Sequence, residues 1–223
     1  MIAWSYSRLT TAERCLKMFR HHNILKDVTF KASPAMDRGK DLHSRLDLAV
    51  QRYVGNGVTS DDPKTIHVMP IIKSFCDLHE IVTTELQIAF REDLSICDWF
   101  DKGTWLRTIL DVIGTRGAVA SVIDWKTGQV RYERDQLRLF ALVTLLRMPK
   151  IEEVHTSLIF IDHKQSTPAE VTHRRQLPLL LQEFSDRAEL IQIAEQKGDW
   201  PASPGSHCGW QCACSKRQCS YAK

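Results

Sequence analysis

The sequence predicts a mixed α/β domain with a central sheet flanked by helices, followed by a small cysteine-rich C-terminal segment. Three observations carry that prediction. Strand-type runs concentrate between residues 81 and 174, while helix-period patterns precede, interrupt and follow them. Two β-rich runs meet at the Gly-Thr-Arg-Gly of residues 114–117, a hairpin signal. Cys208, Cys212, Cys214 and Cys219 crowd the last 16 residues, whereas Cys15, Cys76 and Cys97 are scattered. The main domain is expected over residues 1–200 and the cysteine-rich tail over 201–223.

Each element has a local reason. Ser5 or Ser7 can cap an opening helix in which Leu9, Ala12, Leu16 and Phe19 recur at helical spacing. An extended piece over residues 27–34 leads into a second helix over about Met36–Tyr53, and residues 55–63 are rich in turn formers. Thr65–Leu78 reads as a third, less periodic helix. Ile81–Phe90 is a strand and residues 91–103 a loop. Trp105–Ile113 and Ala118–Trp125 form the hairpin. Tyr132–Met148 is an amphipathic helix, Val154–Asp162 and Ala169–Arg174 a second strand pair, and Leu177–Lys197 a long helix.

Composition excludes several classes. A chain of 223 residues spans about 1.5 average domains, so one elaborated domain is expected. Hydrophobic residues at 43% and charged residues at 26% suit a globular protein that buries a full core, not a disordered chain. The balance of 30 basic against 27 acidic residues permits a nucleic-acid partner without requiring one. The longest apolar stretch, Leu139–Leu146, is eight residues, against the roughly twenty of a membrane-spanning helix. The N-terminus lacks the apolar centre of a signal peptide. The expected setting is a reducing cytoplasm, where seven cysteines read as metal or cluster ligands rather than disulfides. Cys76 and Cys97 fit small buried side chains better than ligands.

The chemistry concentrates in residues 109–128. Side chains two apart on a strand share a face, so Asp124 and Lys126 project together, about 7 Å apart along the backbone. A hairpin turning near Arg116 puts Asp111 within a residue or two of Asp124 on the neighbouring strand. Two carboxylates and an ammonium then converge beside Ile109, Val112, Val122 and Ile123. Such acids repel one another unless a cation lies between them, and hard oxygen ligands suit Mg²⁺ or Mn²⁺, as one or two ions. Taken alone, D-x-K reads more readily as a surface hairpin carrying a cross-strand ion pair.

More of the chain fits a pattern. Gly39 to His43 form G-x-x-x-H, Asp111 ends a strand, Asp124-Trp125-Lys126 form D-x-K, and Gln136 to Phe140 form Q-x-x-x-F. Ser5, Ser7, Arg8, Leu9 and Cys15 precede them and the cysteine cluster follows. In that order these residues resemble the PD-(D/E)xK nuclease superfamily, in its RecB-like branch of phage exonucleases and CRISPR-associated nucleases. The resemblance implies a restriction-endonuclease-like core with a mixed sheet, and a metal-dependent DNA exonuclease working in recombination, repair or phage DNA processing. It implies that Asp111, Asp124 and His43 hold metal, with the backbone carbonyl of Trp125 completing the shell, and that Lys126 assists the nucleophile. Gln136 is implied to support the site or touch DNA. Phe140 replaces the tyrosine common at its position, so any hydroxyl contact is absent there. Glu85, on the preceding strand, is a candidate supporting acid, and equally a plain strand residue.

In this branch one early and three late cysteines hold a [4Fe–4S] cluster that ties the chain ends together. Cys15 with Cys208, Cys212 and Cys219 would reproduce it, with the tail packing back on the N-terminal region. The spacing departs from the usual one, C-x₃-C-x₆-C here against C-x₂-C-x₅-C, and Cys214 is an extra candidate. Zinc on the tail with help from His207, or no metal, are the alternatives. Arg8, Arg14, Arg38 and Lys40 are candidate phosphate contacts, with Lys17, Arg20, Arg45 and Arg52 sharing the basic bias. Trp4, Tyr6, Trp99 and Trp105 suit base stacking or, for most of them, core packing. The expected partner is DNA, single-stranded or with free ends, together with a recombination or single-strand-binding protein. No membrane contact is expected, and the sequence does not fix the oligomeric state. Two rival readings are a DNA-binding module without catalysis and a CRISPR-associated end-trimming nuclease active only within a complex.

Overall fold

The computed structural model describes residues 2–28, 33–209 and 212–222. The chain forms two compact units, one of residues 32–88 and 108–180, the other of residues 1–31, 89–107 and 181–223. Helices and strands follow in the order α1 (Tyr6–Arg14), α2 (Leu16–Phe19), α3 (Pro34–Asn56), α4 (Met69–Leu78), β1 (Ile81–Phe90), β2 (Leu106–Arg116), β3 (Val119–Lys126), α5 (Arg134–Arg147), β4 (Glu153–Phe160), β5 (Gln165–Ser166), β6 (Glu170–His173) and α6 (Leu177–Lys197).

The sheet runs β1-β2-β3-β4-β5, with β6 also paired to β4. β2 and β3 are an antiparallel hairpin, whereas β3 and β4 are parallel and need the crossover that α5 supplies. β5 and β6 both pair antiparallel with β4. The sheet is therefore mixed, as the sequence predicts.

Helices cover both faces of this sheet within the first unit. Ser33 caps α3 by accepting from the Met36 N–H at 3.2 Å, and Pro34 occupies the first turn, where no N–H is needed. The helix stops at Gly57, whose φ of 68° is open to glycine at no steric cost. Leu42, Leu46, Ala49 and Val50 line its buried face. The last three pack with Val68, Met69 and Ile72 against Val112, Ile123, Trp125 and Ile159 of the sheet. On β4 the neighbouring residues Leu158 and Phe160 point the other way and meet Leu137 of α5, so period-2 alternation separates the two layers.

Gly114 of β2 is required by packing. A methyl added there would stand 2.5 Å from Cγ of His79. The His79 ring is itself fixed, Nδ1–H donating to the Phe75 carbonyl at 2.7 Å and Nε2 accepting from Ser121 at 2.9 Å. Gly114→Ala is expected to destabilise the protein by about 1–3 kcal/mol through overpacking. A urea unfolding midpoint equal to that of the wild type would refute this.

In the second unit Trp4 bridges to the start of β2. Its N–H donates to the Trp105 carbonyl at 2.8 Å, and its carbonyl accepts from Arg107 at 3.0 Å. Its indole packs edge-on to Trp105 with centroids 5.3 Å apart. Trp4 and Trp105 are thus core residues, and Trp99 lies under the Arg107 guanidinium at 5.3 Å. The tail meets the N-terminal segment through Lys17 N–H to the Pro201 carbonyl (3.1 Å) and Gln218 Nε2 to the Asp27 carbonyl (3.1 Å).

Several elements differ from expectation. The opening helix breaks at Cys15, which is extended (φ −166°, ψ 112°), and resumes as α2 and then a π-helix over Arg20–Leu25. The Cys15 sulfur accepts from the Met18 N–H at 3.4 Å and so caps α2, which the unbroken apolar spacing conceals. The extended piece expected over residues 27–34 falls largely on 29–32, outside the described residues. α3 is longer than expected at both ends, and the start of the third helix is a 3₁₀ turn over Ile66–Val68 ahead of α4. The hairpin turns at Gly117–Ala118 rather than across 114–117, because Arg116 pairs with Val119 and Gly117 supplies a φ of 55°. Among the described residues, no helix is long and apolar enough to cross a membrane.

Candidate active site

The hairpin register places the acids. Val112 pairs with Ile123, so the next positions outward along the hairpin are Asp111 and Asp124. Asp111 accepts the Trp125 backbone N–H at 2.8 Å, which fixes its carboxylate beside β3. Asp124 is 6% exposed. Burial and the nearby Asp111 charge push its carboxyl up to about 7, against the pull of Lys126.

Lys126 is held from three sides. Its Nζ lies 2.9 Å from Asp124 Oδ2, donates to Gln136 Oε1 at 2.6 Å, and lies 3.4 Å from Glu133 Oε2. Burial alone would favour its neutral form, but Asp124 and Glu133 outweigh it and raise the pKa above that of a free lysine. Gln136 also donates Nε2 to Asp124 Oδ1 at 3.3 Å, so its amide links acid and base and can point only one way. Asp124 Oδ2 is buried, and Lys126 is its ion-pair partner.

A cleft of about 690 Å³ opens beside these strands, lined by Gly39, Lys40, His43, Asp47, Glu85 and Asp111 among others. His43 Nδ1 is 3.4 Å from Asp111 Oδ2, and that contact raises the imidazole pKa despite partial burial. His43, Glu85 and Asp111 each offer a ligand atom, all within 4.8 Å of one another. Glu85 is the unusual member, because in mid-strand its φ is 48°, a left-handed conformation rare for a glutamate. Burial, then Asp111 and Asp47, push its carboxyl upward. Gly39 matters for access, since a methyl there would lie 3.3 Å from Thr127 Oγ1 just after β3.

The structure thus brings Asp111, Asp124, Lys126, Gln136, His43 and Glu85 into one region of the first unit. Glu133, at the start of α5, belongs with them and was not anticipated. Its sequence signal is its place one helical turn before Gln136.

The basic residues fare differently. Arg38 is bound to Asp162, with Nη1 donating to Oδ2 at 2.9 Å, and Asp162 is held down to about 2 chiefly by that contact. Lys40 is exposed at the cleft. Arg8 donates to the Ala3 carbonyl at 2.7 Å, and both Arg8 and Arg14 belong to the second unit.

The late thiols gather in the second unit, where Cys212, Cys219 and Cys15 all act on Cys214. The group whose ligand atoms converge is His22, Cys212 and Cys214, within 4.8 Å, with neither Cys208 nor His207 in it. Cys208 accepts from the Gly205 N–H at 3.4 Å, and Cys15 from the Ser203 N–H at 3.4 Å. Burial, then Cys212, Cys219 and Cys15, push the Cys214 thiol up to about 12.

Comparison with known proteins adds to this geometry. The sequence profile of the PD-(D/E)XK nuclease superfamily matches residues 71–222. No curated protein sequence matches the chain. Among solved structures, a candidate exonuclease from Eubacterium rectale is 9% identical and superposes with a TM-score of 0.51 over 94% of this chain and 86% of its own. Another, the protein SSO0001, is 15% identical with a TM-score of 0.44 over 81% and 74%. At such identities the first likeness concerns the fold alone, and the second carries no argument.

Proposed function

Since the chain belongs to the PD-(D/E)XK nuclease superfamily, we propose that this nuclease is a divalent-metal-dependent deoxyribonuclease that hydrolyses phosphodiester bonds from free DNA ends. The observation that supports it most is the cradle of Lys126, an ammonium 2.9 Å from Asp124 and 2.6 Å from Gln136, beside the Asp111–His43 pair. The mixed sheet flanked by helices is the restriction-endonuclease-like fold of that superfamily. The exonuclease mode draws on the resemblance in the motifs and on the description of the Eubacterium rectale protein.

The residues suit a divalent ion. Two carboxylates and an imidazole converge within 4.8 Å, and the buried Asp124 carboxylate lies nearby. His43, Glu85 and Asp111 would hold one such ion with Asp124, the Trp125 carbonyl being a further candidate oxygen. An imidazole in the set favours Mn²⁺ over Mg²⁺ on softness grounds. Held there, such an ion would supply water activation and charge stabilisation at a phosphodiester oxygen.

The chain's own groups do the rest. Lys126 stays charged and donates to the attacking water or to a non-bridging oxygen, offsetting the charge that develops there. Gln136 fixes the ammonium's direction before substrate arrives, so little reorganisation remains. Lys40, exposed on the cleft, is the proposed phosphate contact. Recombination, repair or phage DNA processing is the proposed setting.

The test uses linear and circular DNA, single- and double-stranded and labelled at either end, with Mg²⁺, Mn²⁺ or EDTA. Metal-dependent release of mononucleotides from linear DNA, with closed circles intact, is the expected result. Cleavage of circles would replace the exonuclease with an endonuclease. Binding without cleavage under every metal would leave a DNA-binding module.

A further inference from the structure

Outside the acid–lysine cleft, one other group among the described residues brings three ligand atoms toward a single point. His22, Cys212 and Cys214 lie within 4.8 Å of one another, though about 190 residues separate the histidine from the thiols. His22 sits in the π-helix Arg20–Leu25, a rare and wide turn that recurs at functional sites. Cys214 shares a small buried cluster with Cys219 and Ala222, and Cys212 packs against it. Cys219 is thus the further thiol packed directly against the group.

The donor set discriminates between metal centres. Around one tetrahedral zinc ion, bonds of 2.0–2.3 Å place neighbouring ligand atoms roughly 3.3–3.8 Å apart. A spread of 4.8 Å or less closes to that with small side-chain rotations. In an iron–sulfur cluster each thiolate binds its own iron, so the ligand sulfurs stand farther apart, and the ligands are mostly cysteine. Cys15 and Cys208 accept backbone N–H groups of Met18, Ser203 and Gly205 and are not in the convergent group that contains His22.

We infer that His22, Cys212 and Cys214, completed by Cys219, bind a single structural zinc ion. On binding, each thiol releases its proton to solvent as its sulfur–zinc bond forms, and the neutral imidazole donates a nitrogen lone pair. The ion then closes a loop of most of the chain, which stabilises the fold through the entropy it removes from the unfolded state. This does not depend on the nuclease reading.

The test uses the full chain purified without oxygen. Zinc, iron and sulfide are measured with the visible spectrum, and the zinc X-ray absorption fine structure is recorded on the wild type. We expect about one tightly held zinc per chain, no iron, and a zinc shell containing both nitrogen and sulfur. The acid cleft offers no sulfur, so that shell identifies the tail site. His22→Ala should weaken zinc retention against a chelating dye by more than the roughly 10–100-fold typical of outer-shell changes. His22→Cys should retain the ion, and Cys208→Ser should change nothing. Circular dichroism of each variant separates ligand loss from misfolding, and the wild-type spectrum requires no variant. Iron with sulfide, an all-sulfur zinc shell, metal loss on Cys208→Ser but not on His22→Ala, or a tail that folds and binds no metal would each overturn the inference.

Discussion

Lys126→Ala is expected to lower the single-turnover rate of DNA cleavage by roughly 100–1,000-fold, the size seen when one charge-stabilising donor is removed from an active site. The protein should stay folded, for a specific reason. Removing a buried ion-pair partner is usually costly because it strands a charge. Here the stranded group, Asp124, already sits at about 7 because it is buried near Asp111. It can take up a proton instead of remaining an unpaired anion. Affinity for DNA should therefore change little, and the loss should fall on the chemical step. Glu133→Gln is the comparison, because Glu133 lies 3.4 Å from Nζ while Asp124 lies at 2.9 Å. It should cost far less than the lysine change. A Lys126→Ala protein that cuts at the wild-type rate would remove this lysine from the mechanism.

Asp111→Asn should be at least as damaging. Asp111 stands between three groups, accepting the Trp125 N–H at 2.8 Å, lying 3.4 Å from His43, and sharing the possible ligand set with Glu85. The asparagine oxygen can still accept from Trp125, so the strand geometry should survive while the charge is lost. Metal stabilisation of a phosphoryl transition state amounts to several kcal/mol. At tenfold per roughly 1.4 kcal/mol, that corresponds to a loss of at least about 100-fold. Mn²⁺ binding, read by paramagnetic resonance without DNA, should weaken in parallel. Cleavage lost with Mn²⁺ affinity unchanged would take Asp111 out of the ligand set and leave it a positioning role. Because the two residues act on one step, the double variant should be little worse than either alone.

Much of this architecture was legible in the sequence, for reasons that differ by element. β1 and α6 begin and end where the apolar patterning places them, at Ile81–Phe90 and Leu177–Lys197. Both are regular segments bounded by polar or turn-forming residues. The break at Cys15 was hidden because Leu9, Ala12 and Phe19 are all buried on either side of it, so the apolar rhythm continues while the backbone does not. β5, two residues long, carries no pattern to read. Asp111, Asp124 and Lys126 could be placed together because a hairpin is local and its register follows from the turn. His43 and Gln136 could be added only through the order of motifs, because no spacing argument reaches across 68 or 12 residues of tertiary structure. The reach of Glu85 into the cleft depends on a left-handed φ that a glutamate gives no reason to expect. Glu133 and His22 acquire their neighbours only by folding, the second of them across nearly the full length of the chain.

The interleaving of the two units has a consequence for how the chain is made. The unit that carries the acids and the lysine is complete once residue 180 has been synthesised, since it draws on residues 32–88 and 108–180. The other unit combines residues 1–31 and 89–107 with 181–223, so it cannot close until that later stretch has been added. During that interval Trp4, Leu9, Ala12 and Phe19, all buried in the finished protein, lack part of the surface that covers them. The N-terminal helices are therefore an apolar segment held waiting on the nascent chain. Until residues 181–223 arrive, those helices are open to capture by a chaperone or to pairing with another unfinished copy.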